Sequence, residues 1–467
     1  MRAEGGGRGV EQNGEGTPPS ALHPRPFAAE GSLIRALGTW SLAAAIVNIT
    51  IGGGIFRIPS SPEVTGRLGP AAPLAYVVCA LAMGLIVLCL AEAASRVAAT
   101  GGPYAYVEVA FGPFLGYLVG VLLWLTATVA FAAVATIFAD NTARLIPAFG
   151  SAAARAGLLV SVVLLLAAVN VIGVRQGSRV NVVSAIVKLA PLLLLIVGGV
   201  FAIDPANLQW AEAPSVAGLS RASIFLIFAF AGIESALVPS GEVREPARTV
   251  PRAIFLAMGI VTVIYLLIQA VAQGSLGPAL VGTPTPLTDA AGRIFGPWGA
   301  ALLSAGVVLS TLGYLSGMTL AVPRALYAFA RDGFLPRRLA AVHPRFHTPH
   351  VAIVVQSAVV VFLALTSGFE GLAIIATSAT LIVYLGCCVG AWELRRRNVR
   401  GAGEPFTIPG AAVVPFLACA VILYLLSSVT LREWGVLAAT VALATVVFFV
   451  TRGRRHPAAP ATDLPPA

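Results

Sequence analysis

Apolar runs of roughly twenty residues, the length that spans a bilayer, recur along the chain from near residue 37 to residue 451. They are separated by short polar stretches in which Gly, Pro and Arg collect. Their edges predict helices at 37–63, 71–97, 113–145, 155–173, 179–203, 219–241, 249–275, 297–331, 350–367, 369–394, 411–430 and 433–451. The reading is an all-α membrane protein of about twelve transmembrane helices. The first 35 residues and the segment from 453 to 467 are too rich in Gly, Pro, Ala and polar residues to bury a core, so both are expected to be disordered tails.

Two of the predicted helices carry their own interruption. The first reads Ile-Thr-Ile-Gly-Gly-Gly-Ile-Phe-Arg-Ile-Pro over 49–59, and the sixth reads Phe-Ala-Phe-Ala-Gly-Ile-Glu-Ser over 228–235, with Pro239 and Gly241 after it. Gly weakens a helix interior by about 1 kcal/mol and Pro by about 3. Unwound backbone at membrane depth survives only where it is buried in protein or lines a water-filled cavity. Breaks five helices apart occupy matching places in two halves, which predicts a five-plus-five inverted repeat with a substrate site between the breaks. Half-helix N-termini would offer N–H groups to a carboxylate and half-helix C-termini carbonyls to an ammonium, and an α-amino acid carries both charges on one carbon. The competing reading, a glycine-rich face for close helix packing, remains open for the triple glycine taken alone. The expected organisation is an N-tail over 1–35, a first repeat over 36–203, a second over 204–400, two peripheral helices over 401–452 and a C-tail over 453–467.

Composition agrees with this picture and narrows it. Apolar residues make up 58% of the chain and charged residues 11%, about half the charged share of a soluble domain. The net charge of +10 does not indicate nucleic acid, because most of the 30 Lys and Arg residues fall in alternate loops. That asymmetry predicts both termini in the cytoplasm of a multi-pass inner-membrane protein. Cys79, Cys89, Cys387, Cys388 and Cys419 all lie in apolar runs and read as buried hydrophobes. The N-tail has no apolar core, so the first span is expected to serve as the insertion signal.

Ionisable groups inside the apolar runs carry the candidate chemistry, since each costs at least about 2.5 kcal/mol at mid-bilayer. Lys188 in the fifth span is the single lysine of the chain, every other member of that basic set being Arg. It is either a working group or a lysine that snorkels to the interface. Glu234 at the sixth-helix break is either a titrating proton carrier or a permanently protonated, hydrogen-bonded residue. Arg57, just past the glycines, could contact a substrate carboxylate or line an outer vestibule. Glu92, Glu108 and Asp140 read as loop ion pairs or interfacial caps, and His343, His347 and His350 as a solvated loop without metal-site spacing.

Several stretches together resemble the amino acid–polyamine–organocation superfamily. They are Gly52-Gly53-Gly54-Ile55-Phe56; Gly101-Gly102-Pro103-Tyr104-Ala105-Tyr106-Val107 with Phe111-Gly112-Pro113; Phe228 to Glu234 with Glu242-Val243-Arg244-Glu245-Pro246 and Val250-Pro251-Arg252; Arg324 to Pro336; and Phe406-Thr407-Ile408-Pro409-Gly410. The resemblance implies a LeuT-like inverted-repeat core with broken helices 1 and 6, plus two peripheral helices. It places the substrate carboxylate on the N–H groups of Gly53 and Gly54, within the stretch Gly52 to Ile55. The amine falls on carbonyls of Thr50, Phe228 and Ala231, beside Gly232 and Glu234, with Phe228 as an aromatic gate. Lys188 is implied as a substitute for a sodium ion, and Lys188 and Glu234 as the coupling and proton residues. Two departures stand out. Gly53 replaces the family's Ser or Thr, and Phe228 stands where the arginine/agmatine antiporters carry Trp.

The expected function is secondary active transport of amino acids by alternating access, sodium-independent and coupled to protons or to exchange, with neutral L-amino acids leading. An antiporter of a basic amino acid or polyamine is the alternative, and a membrane amino-acid sensor stands behind it. The partners are the amino acid, the lipid bilayer and protons. A homodimer is compatible with the sequence, and no enzyme chemistry, metal or cofactor is called for.

Overall fold

The computed structural model describes residues 38–97, 102–172, 178–210, 213–232, 243, 245–400, 404–408, 410 and 413–451, with backbone alone along 178–187 and 246–247. Both predicted tails, Glu234 and the rest of 233–242 lie outside the described residues. Within them the chain is helical and has no strand. The helices are α1 (Thr39–Thr50), α2 (Ala72–Arg96), α3 (Pro103–Phe111), α4 (Pro113–Leu145), α5 (Ala152–Ile172), α6 (Ser178–Gly199), α7 (Val216–Phe230), α8 (Pro246–Leu276), α9 (Pro286–Phe295), α10 (Pro297–Arg331), α11 (His350–Thr366), α12 (Phe369–Arg396), α13 (Val413–Ser427) and α14 (Leu431–Thr451).

Seven of these, α2, α4, α5, α8, α10, α12 and α14, are long and apolar enough to cross a membrane, while α1, α6, α7, α11 and α13 are shorter apolar helices. At 1.5 Å per residue the 33 residues of α4 run about 50 Å. Leu165, Phe362, Phe416 and Leu443 are each more than 60% exposed, on helices whose other faces are packed. Apolar side chains turned outward in this number fit a lipid surround and not water. The chain is a multi-pass membrane protein.

The predicted spans fall within a few residues of helices except at the two interruptions. The first span does not continue as an α-helix to 63. It ends at Thr50, and the chain proceeds through 3-10 turns at Gly54–Phe56 and Ile58–Ser60, a π-turn at Pro62–Gly66 and a further 3-10 turn at Gly69–Ala71. Pro59, Pro62 and Pro70 remove backbone donors, so no regular helix can form there. In the sixth span helix α7 ends at Phe230, and Ala231 and Gly232 form a turn. Two short helices, α3 and α9, appear in segments the hydrophobic pattern left as loops.

Packing places α4 against α12, α10 and α11, α2 against α8 and α7, and α1 against α8. Likewise α6 lies on α10 and α8, and α12 lies on α2 and α7. Buried polar bonds fasten several of these pairs. Tyr76 on α2 donates to Gln269 on α8 at 3.1 Å. Trp124 on α4 donates to Gln356 on α11 at 3.0 Å, and Gln356 donates back to Thr128 at 3.0 Å. Such bonds are worth about 0.6–2 kcal/mol each in a membrane. Glu92, only 1% exposed, accepts from Arg96 at 2.8 Å and from Arg395 at 2.7 Å. That network joins the end of α2 to the end of α12.

Candidate functional site

The interruption in the first span begins where Thr50 gives way to Ile51 and three glycines. Once the helix stops, its last carbonyls lose their intrahelical donors and new partners take them. Lys188 of α6, 9% exposed, donates its Nζ to the Asn48 carbonyl at 2.6 Å. The Thr50 carbonyl accepts from the Gly52 N–H at 2.7 Å and from the Tyr265 hydroxyl at 2.8 Å. Tyr265, on α8 and fully buried, also lies 2.8 Å from the Ala229 carbonyl at the end of α7. One phenol therefore spans the two helix ends.

The resemblance assigns the Thr50 carbonyl to the substrate amine; in this structure that carbonyl also lies within hydrogen-bond reach of the Gly52 N–H and of the Tyr265 hydroxyl, whose one proton it shares with the Ala229 carbonyl. Nothing in the sequence marked Tyr265 or Asn48 for these roles. The only available signal was that a Tyr buried in an apolar run needs a partner for its hydroxyl. Replacing Tyr265 by Phe removes both contacts and nothing else. It is expected to lower stability by about 1–3 kcal/mol, the cost of leaving buried carbonyls underpaired, measured as the shift of the thermal unfolding midpoint of detergent-solubilised protein.

Past the break, the N–H groups of Gly53, Gly54 and Ile55 donate to no carbonyl among the described residues, whereas Phe56 and Arg57 donate to Gly53 and Gly54 at 3.2 and 3.1 Å. Three successive free amides at the start of a helical turn make a place for an anion. At two of these positions a side chain would meet a close neighbour. A Cβ on Gly53 would meet Val134 Cγ2 of α4 at 2.4 Å, and one on Gly54 would meet Ala229 Cα and Phe228 Cδ1, each at 3.0 Å. The absence of a Ser or Thr at 53 thus has a packing cause, since Val134 fills the space.

A cavity of about 820 Å³ lies against this point. Thr50, Gly52, Gly53, Gly54, Lys188, Phe228, Ala231 and Gly232 all line it, while Ile55 is fully buried behind the wall. The walls continue along α4 through Trp124, Thr126 and Val134, along α10 through Tyr314 and Met318, and along α12 through Ala376, Thr377 and Thr380. The cavity reaches Tyr104, Glu108, Phe329, Asp332 and Phe334. Tyr104 is 36% exposed, so the mouth is on that side. Burial, together with the neighbouring Glu108 and Asp332 carboxylates, pushes the Tyr104 hydroxyl up from its usual pKa, so Tyr104 stays neutral there.

On the opposite side the Phe228 and Phe369 rings meet edge to face at 5.7 Å. Arg57 does not line the cavity. It is held beyond the rings by Glu370 at 3.4 Å and Asp140 at 4.0 Å. Among the described residues no group of His, Cys, Asp or Glu is arranged to hold a metal ion. His343 uses its Nδ1 to accept from the N–H groups of Arg345 and Phe346.

The amino acid permease family profile matches residues 37–453. The chain belongs to that family. The permease is therefore a member of the amino acid–polyamine–organocation superfamily, whose members are transporters rather than enzymes. Among curated relatives it is 27% identical to the methylthioribose transporter of Bacillus subtilis, over 91% of this chain and 95% of that protein. It is 28% identical to the serine/threonine exchanger of the same organism, over 86% and 93%. It is 26% identical to the branched-chain amino acid permease of that organism, over 85% and 89%. The substrates named for these relatives differ from one another, so family membership alone selects none of them for this permease.

Proposed function

We propose that the permease is a sodium-independent secondary active transporter of neutral L-α-amino acids that works by alternating access, coupled to protons or to exchange. The observation that carries the reading is the Lys188 ammonium 2.6 Å from the Asn48 carbonyl at the first helix break. It supplies a fixed positive charge where a sodium ion would otherwise be needed. The amides of Gly53 and Gly54 lie in the same stretch, line the cavity and suit the substrate carboxylate. The amine is assigned to the carbonyl end of α7 at Phe228 and Ala231, and Phe228 covers the side chain. A protonated Lys188 in the cavity wall opposes a second cation, which favours neutral substrates over basic ones.

A five-plus-five inverted repeat is supported by the packing. Exchanging α1, α2, α4, α5 and α6 with α7, α8, α10, α11 and α12 turns the pair α1–α8 into α7–α2. The same exchange turns α4–α12 into α10–α6 and α6–α8 into α12–α2, and all of these contacts occur. In this reading 36–203 and 204–400 are the repeats, α13 and α14 are peripheral, and both termini face the cytoplasm with the Tyr104 mouth.

Uptake of a panel of radiolabelled amino acids, with methylthioribose included, into proteoliposomes tests the proposal. Saturable uptake of a neutral amino acid without sodium is expected. Uptake confined to arginine, lysine or a polyamine overturns the substrate assignment, and specific binding without flux points to a sensor.

A further inference from the structure

Besides Tyr104, the mouth of the cavity carries a wall of rings. Tyr117 on α4 and Phe334, in the turn after α10, both line the cavity and stack at 4.2 Å. Phe329, in the last turns of α10, meets Tyr117 edge to face at 5.8 Å. The chain folds back here through Gly333, whose φ of +85° is a conformation that suits glycine. The Phe334 N–H then donates to the Phe329 carbonyl at 2.8 Å.

Behind the stacked pair, and not itself lining the cavity, lies Phe448 in the last turn of α14. Its ring is 5.5 Å from that of Tyr117 and 6.0 Å from that of Phe334. Phe114 of α4 meets it edge to face at 4.8 Å. Tyr117, Ala444 and Phe448 are the buried members of an apolar cluster separate from the main core, with Phe114, Phe329 and Phe334 packed on it. Elsewhere α14 contributes little to the interior: of its residues only Leu437, Ala444 and Phe448 are buried. A helix in lipid gains no hydrophobic stabilisation by turning a ring inward. Phe448 therefore acts through contact and shape, and what it touches is the mouth.

We infer that Phe448 is a positioning residue for the permeation route: from a helix outside the two repeats, it sets the width of the Tyr104-side mouth by backing Tyr117 and Phe334. The inference rests on the transport reading above only in taking the cavity as that route. A ring removed from behind leaves space into which its neighbours relax, so Phe448→Ala lets the stacked pair draw back and the mouth widen. A larger ring overfills the same space, so Phe448→Trp drives the pair inward and the mouth narrows. Opposite signs from one position are the mark of a wall being moved.

The test uses the full-length chain with Ala130→Cys as reporter. Ala130 lines the cavity, whereas Cys79, Cys89, Cys387 and Cys388 are buried, and the protein without the reporter gives the background. A membrane-impermeant thiol reagent is applied to intact cells and, separately, to inside-out vesicles. The preparation in which the parent labels faster presents the Tyr104 side, whichever way the chain is inserted. There Phe448→Ala is expected to raise the labelling rate roughly threefold and Phe448→Trp to lower it by as much, the factor for about 0.7 kcal/mol, within the worth of one aromatic contact. Leu437→Ala is the control. It removes a buried side chain from the same helix, about 16 Å further from the mouth, and is expected to leave the rate unchanged.

Equal rates in the parent and both folded Phe448 variants overturn the inference, and so do changes of the same sign. An equal effect of Leu437→Ala overturns it as well, since α14 would then act only by holding the fold together. Should Phe448→Ala fail to fold, Phe448→Leu takes its place beside Phe448→Trp and the same opposition of sign decides. Labelling requires no substrate, so a protein that shows this pattern but carries no neutral amino acid refutes the substrate assignment alone.

Discussion

Replacing Lys188 with Met is expected to cut uptake by roughly ten- to a hundredfold at unchanged expression. The estimate follows from one contact. A hydrogen bond from a charged donor is worth about 1.5–3 kcal/mol, and each 1.4 kcal/mol is a factor of ten. In Lys188→Met the Asn48 carbonyl keeps its position at the end of α1 but loses the 2.6 Å ammonium. Nothing else in the described residues brings a positive charge to the break, since Arg57 is engaged beyond the Phe228–Phe369 rings.

Met fills similar volume along the stem, so packing within α6 is preserved and the loss reports the charge. The measurement is initial uptake in proteoliposomes with matched protein content, paired with size-exclusion chromatography of the same preparations. Uptake at the parent level in a monodisperse Lys188→Met protein would remove the lysine from the mechanism and with it the reason for expecting sodium independence. A variant that recovers uptake only when sodium is added would strengthen that reason, because the ion would then occupy the place the ammonium left.

The membrane helices were legible because a span announces itself through composition alone: Pro113–Leu145 and Pro297–Arg331 coincide with the predicted 113–145 and 297–331. The interruptions at Gly52 and Gly232 were legible for the complementary reason, that glycine and proline in an apolar run leave backbone groups that only a cavity or a protein wall can satisfy. The helices α3 and α9 were not, being nine and ten residues long. Each starts at a proline that, on sequence, reads as a loop, while in place that proline occupies the first helical position, where its missing N–H costs nothing.

Partners across the fold were beyond sequence altogether. Arg57 reaches Thr283 and Glu370 across 226 and 313 residues of chain, and Tyr265 reaches Thr50 across 215. A lone charge or phenol in an apolar run says that a partner exists, and only the fold says which. The glycines were half legible. Their presence pointed to the site, but the need for them at 53 and 54 arises from Val134 and Ala229 on helices that the sequence does not bring together.

That need separates the two positions experimentally. Gly53→Ser is expected to lower both stability and uptake, because its Cβ would press to 2.4 Å on Val134 Cγ2. The obstacle is chiefly the end of one side chain, however, and Val134→Ala removes the 2.4 Å contact, leaving the Val134 Cβ at 3.2 Å. The double variant is therefore expected to recover most of the single variant's loss. Gly54→Ala meets a different obstacle, the Ala229 backbone at 3.0 Å, with Phe228 Cδ1 at the same distance. No substitution of a side chain clears a backbone atom, so the two broken helices must move apart. Overpacking of this kind costs about 1–3 kcal/mol.

Here the displacement falls on the cavity wall itself, where Gly54 and Phe228 both sit, and uptake is expected to fall by at least roughly tenfold. Thermal unfolding and initial uptake of Gly53→Ser and Gly54→Ala, each alone and with Val134→Ala or Phe228→Ala respectively, check both statements together. Rescue of Gly53→Ser by Val134→Ala, with no comparable rescue of Gly54→Ala by Phe228→Ala, is the expected pattern. If Phe228→Ala did restore Gly54→Ala, the ring and not the Ala229 backbone would be setting the distance between the two breaks. The close approach of α7 to the glycine stretch would then be adjustable, and the case for glycine at 54 would reduce to the same side-chain argument that holds at 53.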